Sequence, residues 1–509
     1  MTPLALVTLA GCLMAIHAVV VFIYTLLFHP LAKYPGPLVA KFTNSYAAYH
    51  AWKGDVHLDI ARCHEKYGGF VRYGPNRILV NSAAGFKDIY GSGKNVRKSS
   101  AYKALVHGTP STFTEVDKRE HSWKRRILAQ AFSTSALRLL EPHILGKINR
   151  FCKLALNGDG GTLTKGAWSA PKNLSDWCSY LSFDIMTATI FGQEYDMLGA
   201  EEHRSLIKDI QRSNVRMSVL YNDNIFRFLR LDRVLFPKSM AGRRTFLHYI
   251  HLFLANSRAE EPSSTGNKSN LFHLLKTVHD PESGRQLPVT DYPSLTLPGL
   301  ETTSSALAAT FFYLCHNPDV QHRLAAEIRG TFHSAEDISL GPQLHGCRFL
   351  DACIQETLRM SPPAAGPIWR EAQAGGAWID GHLLPEGCDV GTSIYALHHN
   401  PRIFRNSHRF QPSRWEEDDS GMTRMGYAPF SIGPRGCVGR ALGQVELALT
   451  VASVVWHYDM RLTEGDEGRV GEGGNNLGPG RDRVEEFQLY DHITAATDGP
   501  YVEFRLREA

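Results

Sequence analysis

A single cysteine near the C-terminus lies in a setting suited to bind a metal. Residues 430–439 read F-S-I-G-P-R-G-C-V-G, with Cys437 as the thiol. The glycines allow backbone conformations that other residues avoid, and they let a ligand approach the main chain closely. Successive backbone N–H groups in such a turn stabilise a thiolate, which is the form of cysteine that binds metals. Considered alone, however, a cysteine beside glycines is equally compatible with an inert buried thiol.

Two charged motifs precede this loop in a fixed order. Glu356 and Arg359 lie three positions apart, so they share one face of a predicted helix. Alone, such a pair is common on protein surfaces. It is followed by F-Q-P-S-R-W at 410–415, which contains Arg414, and then by the cysteine loop. The chain therefore carries E-x-x-R, F-x-P-x-R and F-x-x-G-x-R-x-C-x-G in that order.

This ordered set resembles the cytochrome P-450 family, which binds heme b through a cysteine thiolate. Residues 430–439 match the heme-ligand signature of the family at every fixed position. The resemblance implies that Cys437 is the iron ligand and that Glu356 and Arg359 form a buried network with Arg414, which holds the loop in place. It also implies that the heme-binding residues of the loop are Phe430, Gly433, Arg435 and Gly439.

The resemblance further indicates basic residues for the two heme propionates. Arg125, with His121 as a second candidate, falls where family members usually have a W-x-x-x-R pair. Arg370 occupies the place of a strand arginine that meets a propionate in the family. Together with Arg435, three arginines are predicted to converge on two carboxylates. Without the resemblance, the basic segment 120–126 is equally compatible with a solvated helix face.

The segment 298–303, P-G-L-E-T-T, resembles the family's A-G-x-[DE]-T motif, which lies across the heme from the thiolate. The resemblance implies that Glu301 feeds protons from solvent and that Thr302 hydrogen-bonds bound oxygen and controls its cleavage. Proline replaces the usual alanine at 298, and the preceding apolar run is shortened. We expect the helix to continue before Pro298 with only a kink. In the alternative, a new helix starts near Pro298 and Glu301 merely complements its N-terminal dipole.

The remaining sequence predicts the elements that hold these motifs. Apolar residues make up 43% of the chain, enough for a large core. We predict a β-hairpin at 70–81, a disordered glycine-rich insertion at 464–481, a loop at 259–270, and pocket lining at 493–496. The predicted fold class is mainly α with a small β component, the cytochrome P-450 fold. Helical periodicity is clear at 122–132, 136–151, 181–191 and 205–219.

The N-terminus is typical of a membrane anchor. No charged side chain occurs from Met1 to Pro30, and Leu4 to Phe28 is almost continuously apolar, long enough to cross a bilayer. A cleaved signal peptide is disfavoured, because there is no basic n-region and the apolar core is too long. The first cation is Lys33, which places the following domain in the cytosol. We predict an anchor at 1–29, a proline-rich hinge at 30–37 and a heme domain at 38–509.

Composition and the resemblance together define the expected function. The net charge of +4 is too small to indicate nucleic-acid binding, and nine cysteines without a C-x-x-C pair indicate a reduced compartment. No flavin or nicotinamide motif is visible. The resemblance therefore implies electron transfer from NADPH–cytochrome P-450 reductase, with cytochrome b5 as a second donor, at the endoplasmic reticulum membrane.

The predicted activity is that of a monooxygenase, which inserts one oxygen atom from O2 into a lipophilic small molecule. The fungal character of the hinge and C-terminal region favours a secondary metabolite such as a terpenoid, polyketide or alkaloid. Two alternatives stay open. One is a heme-thiolate isomerase or dehydratase that consumes no oxygen, and the other is an inactive heme-binding product with a truncated distal helix.

Overall fold

The structure, a computed structural model, describes residues 3–106, 110–155, 166–259, 270–288, 291–292, 296–417 and 421–507. Helices dominate it, and the expected helices and hairpin are all present. The loop expected at 259–270 lies almost entirely outside the described residues. The α-helices are α1 Pro3–Ile23, α2 Ser45–Lys53, α3 Val56–Tyr67, α4 Ala83–Tyr90, α5 Lys118–Ala131, α6 Thr134–Ala155, α7 Leu174–Met186, α8 Ser205–Asn222, α9 Leu231–Leu235, α10 Pro237–Ala259, α11 Leu271–Thr277, α12 Thr296–His316, α13 Pro318–Thr331, α14 Pro342–Gly346, α15 Arg348–Met360, α16 Ile394–His398, α17 Arg414–Glu417, α18 Met422–Gly426 and α19 Arg440–His457.

The strands form four small sheets in the described part of the chain. They are β1 Phe70–Gly74, β2 Arg77–Val80, β3 Val96–Lys98, β4 Lys172–Asn173, β5 Arg370–Ala372, β6 Ala377–Ile379, β7 His382–Leu384, β8 Asp389–Gly391, β9 Tyr458–Leu462, β10 Tyr490–His492, β11 Thr494–Ala496 and β12 Tyr501–Leu506. The largest sheet has the order β1-β2-β8-β5-β3, and β2 and β8 are parallel. The others have the order β4-β12-β9, or are the hairpins β6–β7 and β10–β11.

Helix α12 runs through the main hydrophobic core, where it packs against α7, α15 and α19. From Leu300 to Thr310 every residue is buried except Thr302, which is half-buried. A helix that is buried on nearly all sides can only lie inside a large globule. Thr302 thus marks the place where this helix borders accessible space.

The start of α12 bears on one expectation. The described helix begins at Thr296, so it includes two residues before Pro298. Asp291 and Tyr292 are described as a short turn, in which the Asp291 carboxylate pairs with Lys124 of α5 at 2.7 Å, and residues 293–295 lie outside the described part. The expected continuation of the helix before Thr296 therefore stays a prediction. Proline is tolerated in a first helical turn, where no partner for its missing N–H is needed, whereas in a helix interior it costs about 3 kcal/mol.

The segment 464–481 corrects an expectation, because it is ordered. It contains the short helix Glu467–Arg469, and its last residue, Arg481, is buried and donates to the carbonyls of Gly54 and Leu489 at 3.1 and 2.9 Å. The glycines that suggested disorder include Gly471 and Gly478, which have positive φ angles. Glycine is used here to form turns and not to prevent folding.

At the N-terminus, α1 and the five residues after it form one helix, Pro3–Phe28, that is long and apolar enough to span a membrane; an 18-residue window of it has a mean hydropathy of 2.5 and no buried residue. The predicted hinge follows and packs on the globule. Leu31 and Tyr34 are buried in a core cluster, and the Arg72 amide donates to the Pro35 carbonyl at 2.7 Å. The chain between helix and globule is therefore held against β1.

Candidate active site

The cysteine loop joins α18 to α19 and is closed by a backbone hydrogen bond. The Cys437 amide donates to the Phe430 carbonyl at 2.8 Å. Gly433 has a φ angle of 69°, and a Cβ atom there would lie 2.2 Å from the carbonyl oxygen of Tyr90 in α4. Only glycine fits this position, which explains one of the residues in the motif. Beside Gly439, by contrast, no atom lies within 4 Å of where a Cβ would be, so a ligand has room there.

The Cys437 thiol is exposed in the structure, although protein surrounds the loop. Burial raises its pKa, and this effect exceeds the lowering by the Gly439 N–H, Arg125 and Arg440. A bound metal ion would lower the pKa of this thiol, since a coordinating thiol is deprotonated. An accessible sulfur that receives a backbone N–H and faces two arginines is therefore a competent metal ligand.

Besides Arg440, five basic side chains in the described part of the chain lie around this loop. Four of them were predicted from the sequence, namely His121, Arg125, Arg370 and Arg435. The fifth is Lys98, which pairs in register with Arg370 across β3 and β5. No motif marks Lys98 in the sequence, because its place depends on the pairing of two distant strands.

The charges in this cluster are not balanced by ion pairs. Within the described ranges, none of the five forms an ion pair with a carboxylate. Burial, followed by the charges of Arg435, Lys98, Arg125 and Arg370, lowers the pKa of His121 to about 2. Burial and then Arg370 lower the pKa of Arg435 to about 10. Buried like charges of this kind are costly unless a ligand of opposite charge joins them.

The arginines are directed by backbone carbonyls. Arg125, on α5, donates to the carbonyls of Gly436 at 2.6 Å and Cys437 at 3.4 Å, so it contacts the cysteine loop directly. Arg435 donates to the carbonyls that precede α5, including those of Val116 and Asp117, both at 3.2 Å. The Asp117 carboxylate caps α5 by accepting from the amides of its first turn. The cap thus fixes the helix that carries Arg125 and His121.

Glu356, Arg359 and Arg414 are brought together in the core. The Glu356 and Arg359 side chains are 0% exposed and make two parallel hydrogen bonds of 2.9 Å, and Arg414 Nε reaches Glu356 Oε1 at 3.2 Å. Trp415 Nε1 and the Gln411 amide also donate to Glu356, at 3.0 and 2.9 Å. The last two partners were not anticipated from the sequence.

A short chain of contacts leads from this network towards the cysteine loop. Arg359 donates to the His398 carbonyl at 2.9 Å, and the His398 ring accepts from the Ala428 amide at 2.9 Å through Nε2. The next residue back, Tyr427, packs its ring on Trp415 with centroids 4.6 Å apart. Ala428 lies two residues before Phe430, so the network holds the entrance to the loop.

On α12, Glu301 is buried and its Oε2 accepts from Asn214 Nδ2 at 2.6 Å and from the Thr494 hydroxyl. Burial raises its pKa to about 7, an effect larger than the lowering by these two hydrogen bonds. Asn214 and Thr494 are half-buried, so they lie between Glu301 and the outside. Thr494 also belongs to the segment predicted as pocket lining. Asn214 was not identified from the sequence.

Two further contacts fix the position of α12 against its neighbouring helices. A Cβ atom on Gly299 would lie 2.5 Å from the Met186 sulfur, so this glycine permits close packing of α7 on α12. On the other side, Thr303 hydrogen-bonds Glu446 of α19, a buried residue that the sequence did not single out. Burial raises the pKa of Glu446 to about 8. A carboxylic acid that is protonated at neutral pH thus joins α12 to the helix that follows Cys437.

Comparison with known proteins identifies the family of this chain. The family model "Cytochrome P-450" matches residues 35–475. The protein named cytochrome P-450 monooxygenase poxM, from Penicillium oxalicum, is 41% identical over 510 residues, which cover 99% of this chain and 96% of the relative. Cytochrome P-450 monooxygenase atnE from Emericella nidulans is 42% identical over 497 residues, covering 95% and 93%. Cytochrome P-450 monooxygenase AKT7 from Alternaria alternata is 41% identical over 496 residues, covering 95% and 94%. The chain therefore belongs to the cytochrome P-450 family.

Proposed function

We propose that this cytochrome P-450 monooxygenase inserts one atom of O2 into a lipophilic small molecule of fungal secondary metabolism, with Cys437 as the ligand of its heme iron. The family is one of heme-thiolate enzymes. The observation that carries the assignment of the site is the accessible Cys437 thiol beside a cluster of buried and half-buried basic side chains, none of which forms an ion pair within the described ranges.

The residues around the loop fit heme b. Its two propionates would be the counter-charges of Lys98, Arg125, Arg370 and Arg435, none of which pairs with a carboxylate within the described ranges. Arginine is well shaped to bind carboxylates. The open space beside Gly439 allows a planar ring to approach the backbone. When bound, the heme supplies the activation of O2 and the oxidation chemistry.

The role of the protein is then to orient the substrate and to move protons. Thr302 is the half-buried residue of an otherwise buried stretch of α12, so it lies at the edge of accessible space. Glu301, one residue before it, has a carboxyl with a pKa of about 7, which is suited to donate and regain a proton at neutral pH. Asn214 and Thr494 donate hydrogen bonds to its Oε2. Because both residues are half-buried, they link the buried carboxyl to more accessible parts of the protein.

The cellular setting is part of the same proposal. We place an anchor at 1–29, a hinge at 30–37 and a heme domain at 38–509, on the cytosolic face of the endoplasmic reticulum, with NADPH–cytochrome P-450 reductase as electron donor and cytochrome b5 as a second donor. The apolar helix Pro3–Phe28 supports the anchor. A further support is an exposed apolar group that includes Phe228, Leu229 and Val234. Such a surface is costly in water and stable against lipid.

The substrate class rests on the relatives, which are fungal. We propose a terpenoid, polyketide or alkaloid. The test is expression of the full chain with its reductase in yeast, followed by comparison of metabolites from candidate precursors with and without the gene. We expect an oxygenated product that requires NADPH, reductase and O2, formed by the microsomal fraction. A product formed without O2 would instead identify an isomerase or dehydratase. A thiolate-type spectrum without any product would identify an inactive heme binder.

The pH dependence tests the role of Glu301. Its carboxyl is largely protonated below pH 7 and ionised above it, so proton donation should weaken as the pH rises through about 7. We expect product formation to fall over this range and Glu301→Gln to be slower at pH 6 by at least about tenfold, because general acids typically contribute more than this. The variant should also lose the fall in rate near pH 7.

Asp491→Asn is the matched control, because Asp491 is likewise buried and burial raises its pKa to about 6, but it lies on β10 and not on α12. It should keep the wild-type pH profile. Measurement of initial rates from pH 6 to 8 checks this, and an unchanged profile in Glu301→Gln would contradict the role.

A further inference from the structure

A group of two histidines and a glutamate lies away from the cysteine loop. Single ligand atoms of His399, His408 and Glu486 all lie within 4.8 Å of one another. His399 follows α16, His408 lies in the loop before α17, and Glu486 belongs to the C-terminal segment. His408 Nδ1 is 3.6 Å from Glu486 Oε2, and the two imidazole rings stack with centroids 4.8 Å apart.

The hydrogen bonds of His399 leave one ring nitrogen ready to bind a cation. Its Nδ1–H donates to the Tyr395 carbonyl at 2.9 Å, which directs the lone pair to Nε2. The residue is only 5% exposed, and Nε2 has no hydrogen-bond partner in the described part of the chain. Metal-binding histidines usually donate their second nitrogen to a carbonyl or carboxylate in this way.

The other two members show the same features. Nδ1 of His408 is buried and has no hydrogen-bond partner among the described residues. Glu486 is buried, and its Oε1 accepts from the Tyr395 hydroxyl, so one oxygen is fixed while Oε2 faces His408. A buried polar group without a hydrogen-bond partner costs free energy. His399 Nε2 and His408 Nδ1 are two such groups near one carboxylate, so their arrangement needs an explanation.

The core network holds the histidines in place. Arg359 donates to the carbonyls of His398 and Ser407 at 2.9 and 2.6 Å, and to that of Arg409 at 3.2 Å. These carbonyls flank His399 and His408 directly. One buried guanidinium therefore fixes both chain segments, which is the kind of support that a preorganised metal site needs.

We propose that His399 Nε2, His408 Nδ1 and Glu486 Oε2 bind one Zn²⁺ ion, with water as the fourth ligand. Two imidazoles and a carboxylate form a donor set that suits Zn²⁺ and does not suit Mg²⁺, which prefers oxygen ligands alone. The ion joins the segment around α16 to the C-terminal segment. His408, whose side chain is 34% exposed, rotates to complete the site.

One cation competes with the metal. Arg483 Nη1 lies 3.4 Å from Glu486 Oε2, and its side chain is 34% exposed, so it can move into solvent when the ion binds. Removing this arginine should therefore favour Zn²⁺, whereas removing His408 should weaken its binding. The two variants give effects of opposite sign, which a nonspecific loss of folding does not produce.

The experiment uses the full-length heme protein, purified without a polyhistidine tag and freed of metal by a chelator. Zn²⁺ is added in a competition titration with a chromogenic chelator, and bound zinc is measured by mass spectrometry after gel filtration. We expect one Zn²⁺ per heme in the wild type and in His345→Asn, an exposed control. His408→Asn should bind at least about tenfold more weakly. Arg483→Gln should bind several-fold more tightly, and Mg²⁺ should not compete.

Heme content, measured in parallel, verifies that each variant is folded. The proposal is overturned if the wild type retains no stoichiometric zinc, or if His408→Asn binds as the wild type does. It is also overturned if Arg483→Gln weakens binding while retaining its heme. None of these readouts depends on the activity of the enzyme, so they are independent of the proposed function.

Discussion

Glu356→Ala and Arg359→Ala are expected to yield protein that contains almost no heme. Both side chains are 0% exposed and bind each other, and Arg414 shares the same carboxylate. Removal of one partner from a buried ion pair leaves an unpaired charge and costs about 3–5 kcal/mol. The free energy of unfolding of a typical domain is only about 5–15 kcal/mol, so this is a large fraction of it.

The effect should reach the heme through a defined route. Arg359 holds the His398 carbonyl, and His398 accepts from the Ala428 amide just before the cysteine loop. Heme per polypeptide, measured as the pyridine complex, is the readout. The matched control is Arg212→Ala, which removes a pair of the same i,i+3 spacing, Asp209–Arg212, on the surface of α8. Exposed pairs contribute about 0–1 kcal/mol, so this control should retain its heme. Normal heme content in both core variants would refute the role of the network.

The motifs indicated which residues lie together where a short segment carries the whole signal. The order of E-x-x-R, F-x-P-x-R and the cysteine loop indicated which residues meet, and the structure places Glu356, Arg359 and Arg414 in contact. Partners supplied by the tertiary fold left no such signal. Lys98 faces Arg370 only because β3 pairs with β5 in one register, and Asn214 reaches Glu301 only because α8 packs near α12.

The wrong expectation about 464–481 has a physical cause. Glycine and proline were treated as breakers, but their effect depends on where they lie in an element. In 464–481 the glycines form turns around the buried Arg481, and the segment is therefore ordered. Pro298 lies near the start of the described part of α12, where proline is tolerated. Composition alone cannot show where a glycine or a proline lies within an element, because this depends on contacts with distant residues.

Cys437→Ser is expected to abolish product formation and the thiolate-type absorbance of the reduced carbon-monoxide complex. A hydroxyl is nearly isosteric with the thiol, so the Gly439 N–H and the surrounding loop keep their positions. The serine oxygen is not ionised at neutral pH and does not replace a thiolate as an electron-rich ligand. Arg125, Arg370 and Arg435 remain in place, so part of the heme should stay bound through its propionates, without the thiolate spectrum.

Cys315→Ala is the matched control, because Cys315 lies on α12 and is half-buried, unlike the fully buried cysteines of the core. Burial raises its pKa to about 12, so it stays a neutral thiol and should be dispensable for the spectrum. Spectra of the two variants, at equal heme content, decide between the cysteines. If Cys437→Ser kept the thiolate-type band, another sulfur would have to be the ligand. The unpaired basic cluster around the loop would then need a different explanation, since its charge makes sense only when the heme carboxylates lie beside Cys437.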